Sequence, residues 1–543
     1  MNKKGLRPLG LAALTGLTIA SFAVPAHAES QFSYMEPANS AVALKVLATA
    51  GDSINGVLWP GTPDGMGVLP DGKNVVAFVN HELSLSDKVA AAQKRAGGAA
   101  TGSTVTAVNI DTATQTVTGA KDLLSNILWY DYATGQYSSK PGAPTGAAAK
   151  DQYGTPLHTT GINRLCSSHM AAPGDLLYQA KDSKGKVTTY GFAGPAYFTG
   201  EEGGDESRAF VMDTAGNFIQ LPRLGLAAWE NFLVAPATGL STVIMANEDG
   251  SATDSQLWMY VGQKQTTGSW VEKAGLTNGQ AYVMAVDGIA NDNAFRSTRG
   301  KGNPTPVTFK PIDTTQNGAN QNAAARSLGT IMSRVEDGNW DPKNPNDYWF
   351  VTTESNKDAK ATAPNPQSPQ IPRDGGALWR LRFNDVKNPL AGASLTLMLD
   401  GSEAPYLNKP DNITIDDLGN ILIQEDPGNN AHVSRLVAYR IADGKVGTVA
   451  KFKDQYFAPN GSQPITLDEE SSGVVDATKF FRTSAKDANS YYLLDAQVHV
   501  PTAKARIDLG ALSPTATAEL NNAVEGGQLY LMTVKDWNAI YNA

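Results

Sequence analysis

Apolar and polar positions along this chain change over in short bursts, not in long periodic stretches. Runs rich in β-branched and aromatic residues, each bounded by Gly, Asp, Asn or Pro, occupy residues 75–79, 210–212, 242–245, 257–261, 348–351, 378–383, 420–423, 436–441, 491–494 and 529–534. Such runs predict short strands between turns. Helical spacing is scarce, and only residues 86–97, 323–333 and 515–523 suggest a helix. Many short strands without long intervening helices predict an all-β fold, and a β-propeller uses that pattern economically over a chain of this length. Two Pro-rich stretches, 132–150 and 357–374, have too few large apolar residues to pack and read as surface insertions within one domain.

A second pattern is superimposed on the first. Apolar runs lead directly into acidic or otherwise ligating side chains: His81-Glu82, Glu201-Glu202, Glu248-Asp249, Glu354, Glu425-Asp426, and then Asp495, Gln497 and His499. Acids that merely end strands in turns would explain any one case, since Asp and Asn favour turns. Glutamate has no such preference, and several of the sites are tandem acids. In a propeller the ends of successive inner strands face one axis, so these side chains would converge, and clustered carboxylates demand cations.

Composition narrows the chemistry. The chain has 543 residues and a formal net charge of −9. Residues 1–28 carry Lys3, Lys4 and Arg7, an apolar stretch and an Ala26-His27-Ala28 cleavage signal, so they read as a signal peptide. Its removal deletes three positive charges and no negative ones, which takes the net charge to −12. Nucleic acid and anionic membrane are therefore excluded as partners, although bound metal would reverse the local field for an anionic substrate. The mature part, 29–543, reads as a single periplasmic or secreted domain.

Cys166 is the one cysteine, so no internal disulfide forms. It is a buried small hydrophobe or a metal ligand. Oxygen donors suit Ca²⁺, and a thiolate among carboxylates suits iron. Only five histidines, His81, His158, His169, His432 and His499, follow the leader, which disfavours a multi-histidine zinc centre. Neither a G-x-S-x-G elbow nor a P-loop motif is present. Ser471-Ser472 reads as a turn, and strand alternation separates His81 from Glu82. Arg334 and Arg164 each stand two residues before a candidate ligand, Glu336 and Cys166, either to grip an anion or to pair with a carboxylate.

Taken in order, VNHE (79–82), Cys166, TGEE (199–202), WEN (229–231), NEDG (247–250), SRVEDGNWDP (333–342), KPDNITIDDLGNILIQED (409–426), DEESSGVVD (468–476) and LDAQVH (494–499) resemble the PhoX-like β-propeller family. That family includes exported calcium- and iron-dependent alkaline phosphatases. The resemblance implies a six-bladed propeller whose channel holds Fe³⁺ and Ca²⁺ and cleaves phosphate monoesters. It implies Cys166 as an iron ligand, Glu202, Glu248 and Glu336 as bridging or capping carboxylates, and Asn412, Glu425 and Glu470 as further oxygen ligands. The expected substrate is a small phosphorylated molecule and the expected state a monomer. Two alternatives stay open: a calcium-stabilised propeller that only binds a ligand or partner, and a calcium-dependent esterase or lactonase.

Overall fold

The structure is a computed structural model that describes residues 32–542 except 86–101, 125, 152–153, 252, 354–363, 366–367, 373–375, 429–431 and 508–522. Three expectations lie outside the described residues: the signal peptide, the helix over 86–97, and Glu354; most of 357–374 and 515–523 lies outside them as well.

Two strands, β1 (Met35–Pro37) and β2 (Val42–Thr49), open the chain. Antiparallel meanders follow, named in chain order. The first comprises β3 (Pro63–Asp71), β4 (Asn74–His81), β5 (Thr104–Asp111) and β6 (Thr116–Asp122). The second comprises β7 (Leu165–Ala171), β8 (Ala196–Glu201), β9 (Ala209–Met212) and β10 (Asn217–Gln220). The third holds β11 (Trp229–Val234), β12 (Ser241–Glu248), β13 (Leu257–Gln263) and β14 (Gln280–Val286). The fourth holds β15 (Val335–Trp340), β16 (Asp347–Thr352), β17 (Ala377–Phe383) and β18 (Ala393–Leu399). The fifth is β19 (Pro410–Ile415), β20 (Asn420–Glu425), β21 (Arg435–Arg440) and β22 (Val446–Phe452). The sixth is β23 (Glu469–Asp476), β24 (Ser490–Pro501) and β25 (Glu525–Val534), completed on its outside by β2. The other opening strand, β1, pairs with β22.

The first strands of the meanders pack side by side in a closed circuit: β3 beside β7, then β11, β15, β19 and β23, which returns to β3. This is a propeller-like, all-β architecture. Strands such as β11, β16, β19 and β20 are buried along their whole length, because each lies between two neighbouring meanders. That burial explains the apolar runs of β16 and β20. Apolar clusters fill the junctions: one holds Phe78 and Phe210 from the first and second meanders, another Phe198 and Trp258 from the second and third, and a third Val79 and Leu531 from the first and sixth.

Three local expectations are corrected. The helix placed at 323–333 runs from Gly318 to Leu328, because Asn317 caps it by accepting from Asn320 N and the chain leaves it at Gly329. Residues 132–150 are not a loose insertion: Gln136–Ser138 pairs with Asn126–Asp131, which lies parallel to β10. Ser471 and Ser472 are buried inside β23 and do not form a turn.

Candidate metal centre

One residue stands second in each inner strand of the circuit: Asp64, Cys166, Glu230, Glu336, Asp411 and Glu470. All are buried, none more than 8% exposed. Five of them sit where the pairing register slips, at Pro63/Met66, Leu165/Ser168, Trp229/Asn231, Val335/Gly338 and Pro410/Ile413. A β-bulge there re-aims one side chain out of the usual alternation. The bulges turn these side chains toward the axis, where a regular strand would direct them into a neighbouring meander.

A backbone hydrogen bond repeats around the same rim. The carbonyl of the residue before each inner strand (Thr62, Arg164, Ala228, Arg334, Lys409, Asp468) accepts from Glu82, Glu202, Asp249, Thr353, Asp426 and His499 respectively, at 2.9–3.0 Å. Thr62, Arg164, Arg334 and Lys409 hold positive φ to make this approach. The bond fixes which member of each tandem acid faces inward. Glu202, Asp249 and Asp426 project at the rim, whereas their predecessors are spent within the meanders.

Those predecessors act as structural latches. Glu201 accepts from Asn163 N and from Arg208 Nε and Nη2. Glu248 accepts from Gln256 N at 3.1 Å and from Trp258 Nε1 at 2.7 Å. Glu425 accepts from Asn408 N and is ion-paired to Arg435, with Nη2 to Oε1 at 2.5 Å, and to His432. Glu469 accepts from Ser434 N.

Ligand atoms lie within 4.8 Å of one another in four linked groups: Asp64, Glu82 and Cys166; Cys166, Glu202 and Glu230; Glu230, Glu336 and Asp411; Asp411, Asp426 and Glu470. Of the expected ligands, the structure brings together Cys166, Glu202, Glu336 and Glu470. Asn412 lies beside them, its Nδ2 donating to Ser167 Oγ and its Oδ1 unpartnered. It does not bring in Glu248, which accepts both of its hydrogen bonds through Oε2, or Glu425, both of whose oxygens are hydrogen-bonded within the fifth meander. Sequence reasoning counted Glu82 and Asp426 among the strand-end acids that converge without carrying them into the ligand set, and it named no ligand role for Asp64, Glu230 or Asp411. Glu230 and Asp411 stand inside WEN and KPDN, but nothing in those letters announces a bulge.

The centre is electrostatically unbalanced. Burial, and then the charge of Glu470, pushes the Asp64 carboxyl well up; burial does the same to Glu336 and Asp411, and to Glu230 and Glu470, which reach about 8 and about 7. The Cys166 thiol is raised by burial and by Asp64, whose Oδ2 accepts from Sγ at 3.2 Å. Asp64 Oδ1, Glu230 Oε1, Asp411 Oδ1 and Asn412 Oδ1 have no hydrogen-bond partner. Orphaned buried oxygens beside one soft thiol fit hard cations together with a thiophilic one.

Two guanidiniums sit over these acids. Arg164 donates Nε and Nη2 to Glu82 Oε1 at 2.8 and 2.5 Å, and Nη2 to Glu202 Oε2 at 2.7 Å. Arg334 donates Nε and Nη2 to Asp249 and lies 3.5 Å from Glu336 Oε1. Among the described residues, Nη1 of each is uncommitted. A cleft of about 890 Å³ opens beside Glu82, Arg164 and Glu202. Its wall includes Ala148 and Lys150, from the chain that was expected to form a surface insertion, and the adjoining Asp151.

Fold and centre together define a class: an all-β, propeller-like protein with a buried carboxylate and thiol cluster at its axis. Residues 216–473 match the family described as Alkaline phosphatase PhoX, and the chain's assignment is PhoX-like. The structure of Pseudomonas fluorescens PhoX in complex with vanadate, a transition state analogue, shares the fold with a TM-score of 0.56 and 13% identity, over 92% of this chain and 95% of that one. A luciferin-regenerating enzyme (TM-score 0.30, 8% identity, 90% and 95% covered) and a B. megaterium levansucrase mutant (0.28, 10%, 68% and 83%) are fainter likenesses that carry no argument. No curated protein matches the chain in sequence.

Proposed function

We propose that the chain is an exported, metal-dependent phosphomonoesterase in which each meander is one blade of a six-bladed propeller spanning residues 29–543. The observation that carries the reading is the convergence of one acid or thiol from every inner strand on a single axis, with two arginines over it and a cleft opening beside Arg164. Cys166 with Glu202 and Glu230 would hold Fe³⁺, and the all-oxygen groups would hold Ca²⁺. Bound cations supply Lewis acidity, which offsets charge on phosphoryl oxygens and lowers the pKa of water.

The chain's own residues set the rest. Asp249 holds Arg334, and Glu82 with Glu202 holds Arg164, so that each guanidinium has a fixed plane before substrate arrives. Their uncommitted Nη1 groups present donors suited to phosphate oxygens. Ala148, Lys150 and Asp151 line the cleft beside Arg164, where the alcohol portion of a small phosphate ester would lie.

The test is metal analysis with a chromogenic phosphomonoester assay on wild type and Cys166→Ser. Iron and calcium with turnover in wild type, and loss of both iron and turnover in the variant, support the reading. Calcium without turnover points to a binding propeller, and turnover of carboxylic esters alone points to an esterase or lactonase.

A further inference from the structure

The cleft beside Arg164 has an acidic end that the metal centre does not use. Glu248, Asp205 and Asp254 line it, and none of the three belongs to the ligand groups at the axis. Glu248 closes β12, Asp205 follows the end of β8 by four residues, and Asp254 stands between β12 and β13. The three acids face one another. Burial raises the Glu248 carboxyl and Asp254 and Asp205 raise it further, while Asp205 is raised by burial and then by Asp254.

The positive charge at hand does not match them. Arg326 donates Nη1 to Asp254 Oδ2 and leaves Oδ1 without a partner. Glu248 is only 2% exposed and spends Oε2 alone on Gln256 N and Trp258 Nε1, so its Oε1 meets the cleft unbonded. Other charges lining the cleft are committed elsewhere: His158 pairs with Glu206 at 3.3 Å, His499 with Glu525 at 2.9 Å, and Arg164 with Glu82 and Glu202. Asp151 Oδ1 accepts from Thr155 N at 2.7 Å. Lys150 is exposed and, among the described residues, pairs with none of the three acids. A buried carboxylate oxygen without a donor, beside two more acids and one guanidinium, calls for a further positive charge that brings its own hydrogens.

The anion-facing groups are close along the chain. Asp249, which holds Arg334, follows Glu248, and Glu202, which holds Arg164, precedes Asp205 by three residues. A small ester held by its phosphate at the arginines would lay its alcohol against the acids. Among the described residues no Phe, Tyr or Trp lines the cleft, so a quaternary ammonium finds no aromatic cage. A primary ammonium instead offers three N–H donors to carboxylate oxygens.

We propose that the cleft selects phosphate monoesters of small primary amino alcohols, the ammonium seated on Glu248 Oε1, Asp205 and Asp254; this rests on the phosphomonoesterase reading and adds a substrate class to it. In the hydrolysis the oxygen of water bonds to phosphorus, the P–O bond to the amino alcohol breaks, and the alcohol leaves with a proton from that water.

The experiment measures kcat/KM for 2-aminoethyl phosphate and for propyl phosphate, in which a methyl replaces the ammonium, at neutral pH. The proteins are metal-loaded wild type, Asp205→Asn and Glu248→Gln. The subsite predicts that wild type favours the amino ester by about tenfold and that each variant lowers this ratio severalfold, through KM for the amino ester. The two alcohols differ as leaving groups, but that difference is common to all three proteins, so the fall in the ratio decides. A wild-type ratio at or below one, or a ratio unchanged in either folded variant, overturns the inference and leaves the phosphatase reading standing. Faster turnover of phosphocholine than of 2-aminoethyl phosphate does the same, since it marks a seat for a quaternary cation. Wild type that cleaves none of the esters after confirmed metal loading overturns both. Should Glu248→Gln fail to fold, the exposed Asp205→Asn alone decides.

Discussion

Adjacent acids in this chain have opposite duties, and substitution should separate them. Glu425 is completely buried against Arg435 and His432. Burial alone would raise its carboxyl, but Arg435 and then His432 overcome that and leave it at about 2. Glu425→Gln strands a buried guanidinium, so it should cost about 3–5 kcal/mol in chemical denaturation. Because the folded value lies below the unfolded one, the stabilisation from Glu425 is complete above the ordinary carboxylate range and is lost as pH falls toward about 2. The variant should therefore show a flatter acid limb than wild type. Glu230→Gln should do the reverse. It removes a carboxyl that burial already drives up to about 8, so the metal-free protein should melt no lower while bound metal falls. Equal destabilisation by the two variants would contradict this division of labour. Sequence showed that the tandem acids matter but not which member faces the axis. Glu425 was chosen one residue before Asp426, which joins the ligand groups, and Glu248 one before Asp249, which holds Arg334, because a strand end offers two faces and the rim hydrogen bond selects between them.

At the scale of the element, closure is the vulnerable feature. β2 pairs with β25 along its length, so the sixth meander is built from both chain ends. Without β2, the edge of β25 and part of the apolar cluster containing Tyr530 and Met532 would face water. Deleting residues 32–49 should abolish cooperative melting and drive association, read by circular dichroism and size-exclusion chromatography. A peptide of those residues added in trans should restore part of the melt by strand addition. A truncated chain that melts like wild type would show the closing strand to be dispensable. Strand positions were legible from sequence: every apolar run singled out lies on an observed strand, with Ile441 one residue beyond β21. Continuous apolar runs mark strands buried on both faces, and this chain has many. The bulges that aim Asp64, Glu230 and Asp411 were not legible, because a register slip depends on the partner strand and leaves no local mark.

For the whole molecule, the acidic axis makes metal part of the folding equilibrium. Ions that hold clustered carboxylates bind the native state far better than the unfolded one. Chelation with EGTA should lower the melting temperature even where activity is ignored, and re-added calcium should restore it. A melt unchanged after confirmed metal removal would argue against a structural cation. The closing strand has one more consequence, and it concerns the order of synthesis. A ribosome releases β2 long before β25 exists, so the first strand must wait for the last. The centre takes a ligand from every inner strand, and Glu470 is the final one to be made. No nascent chain that stops short of Glu470 can complete the axis, and a product terminated earlier would keep only part of the ligand set. Metal can therefore fill the axis only after the sixth inner strand has left the ribosome, when the last of the six second-position ligands joins the other five.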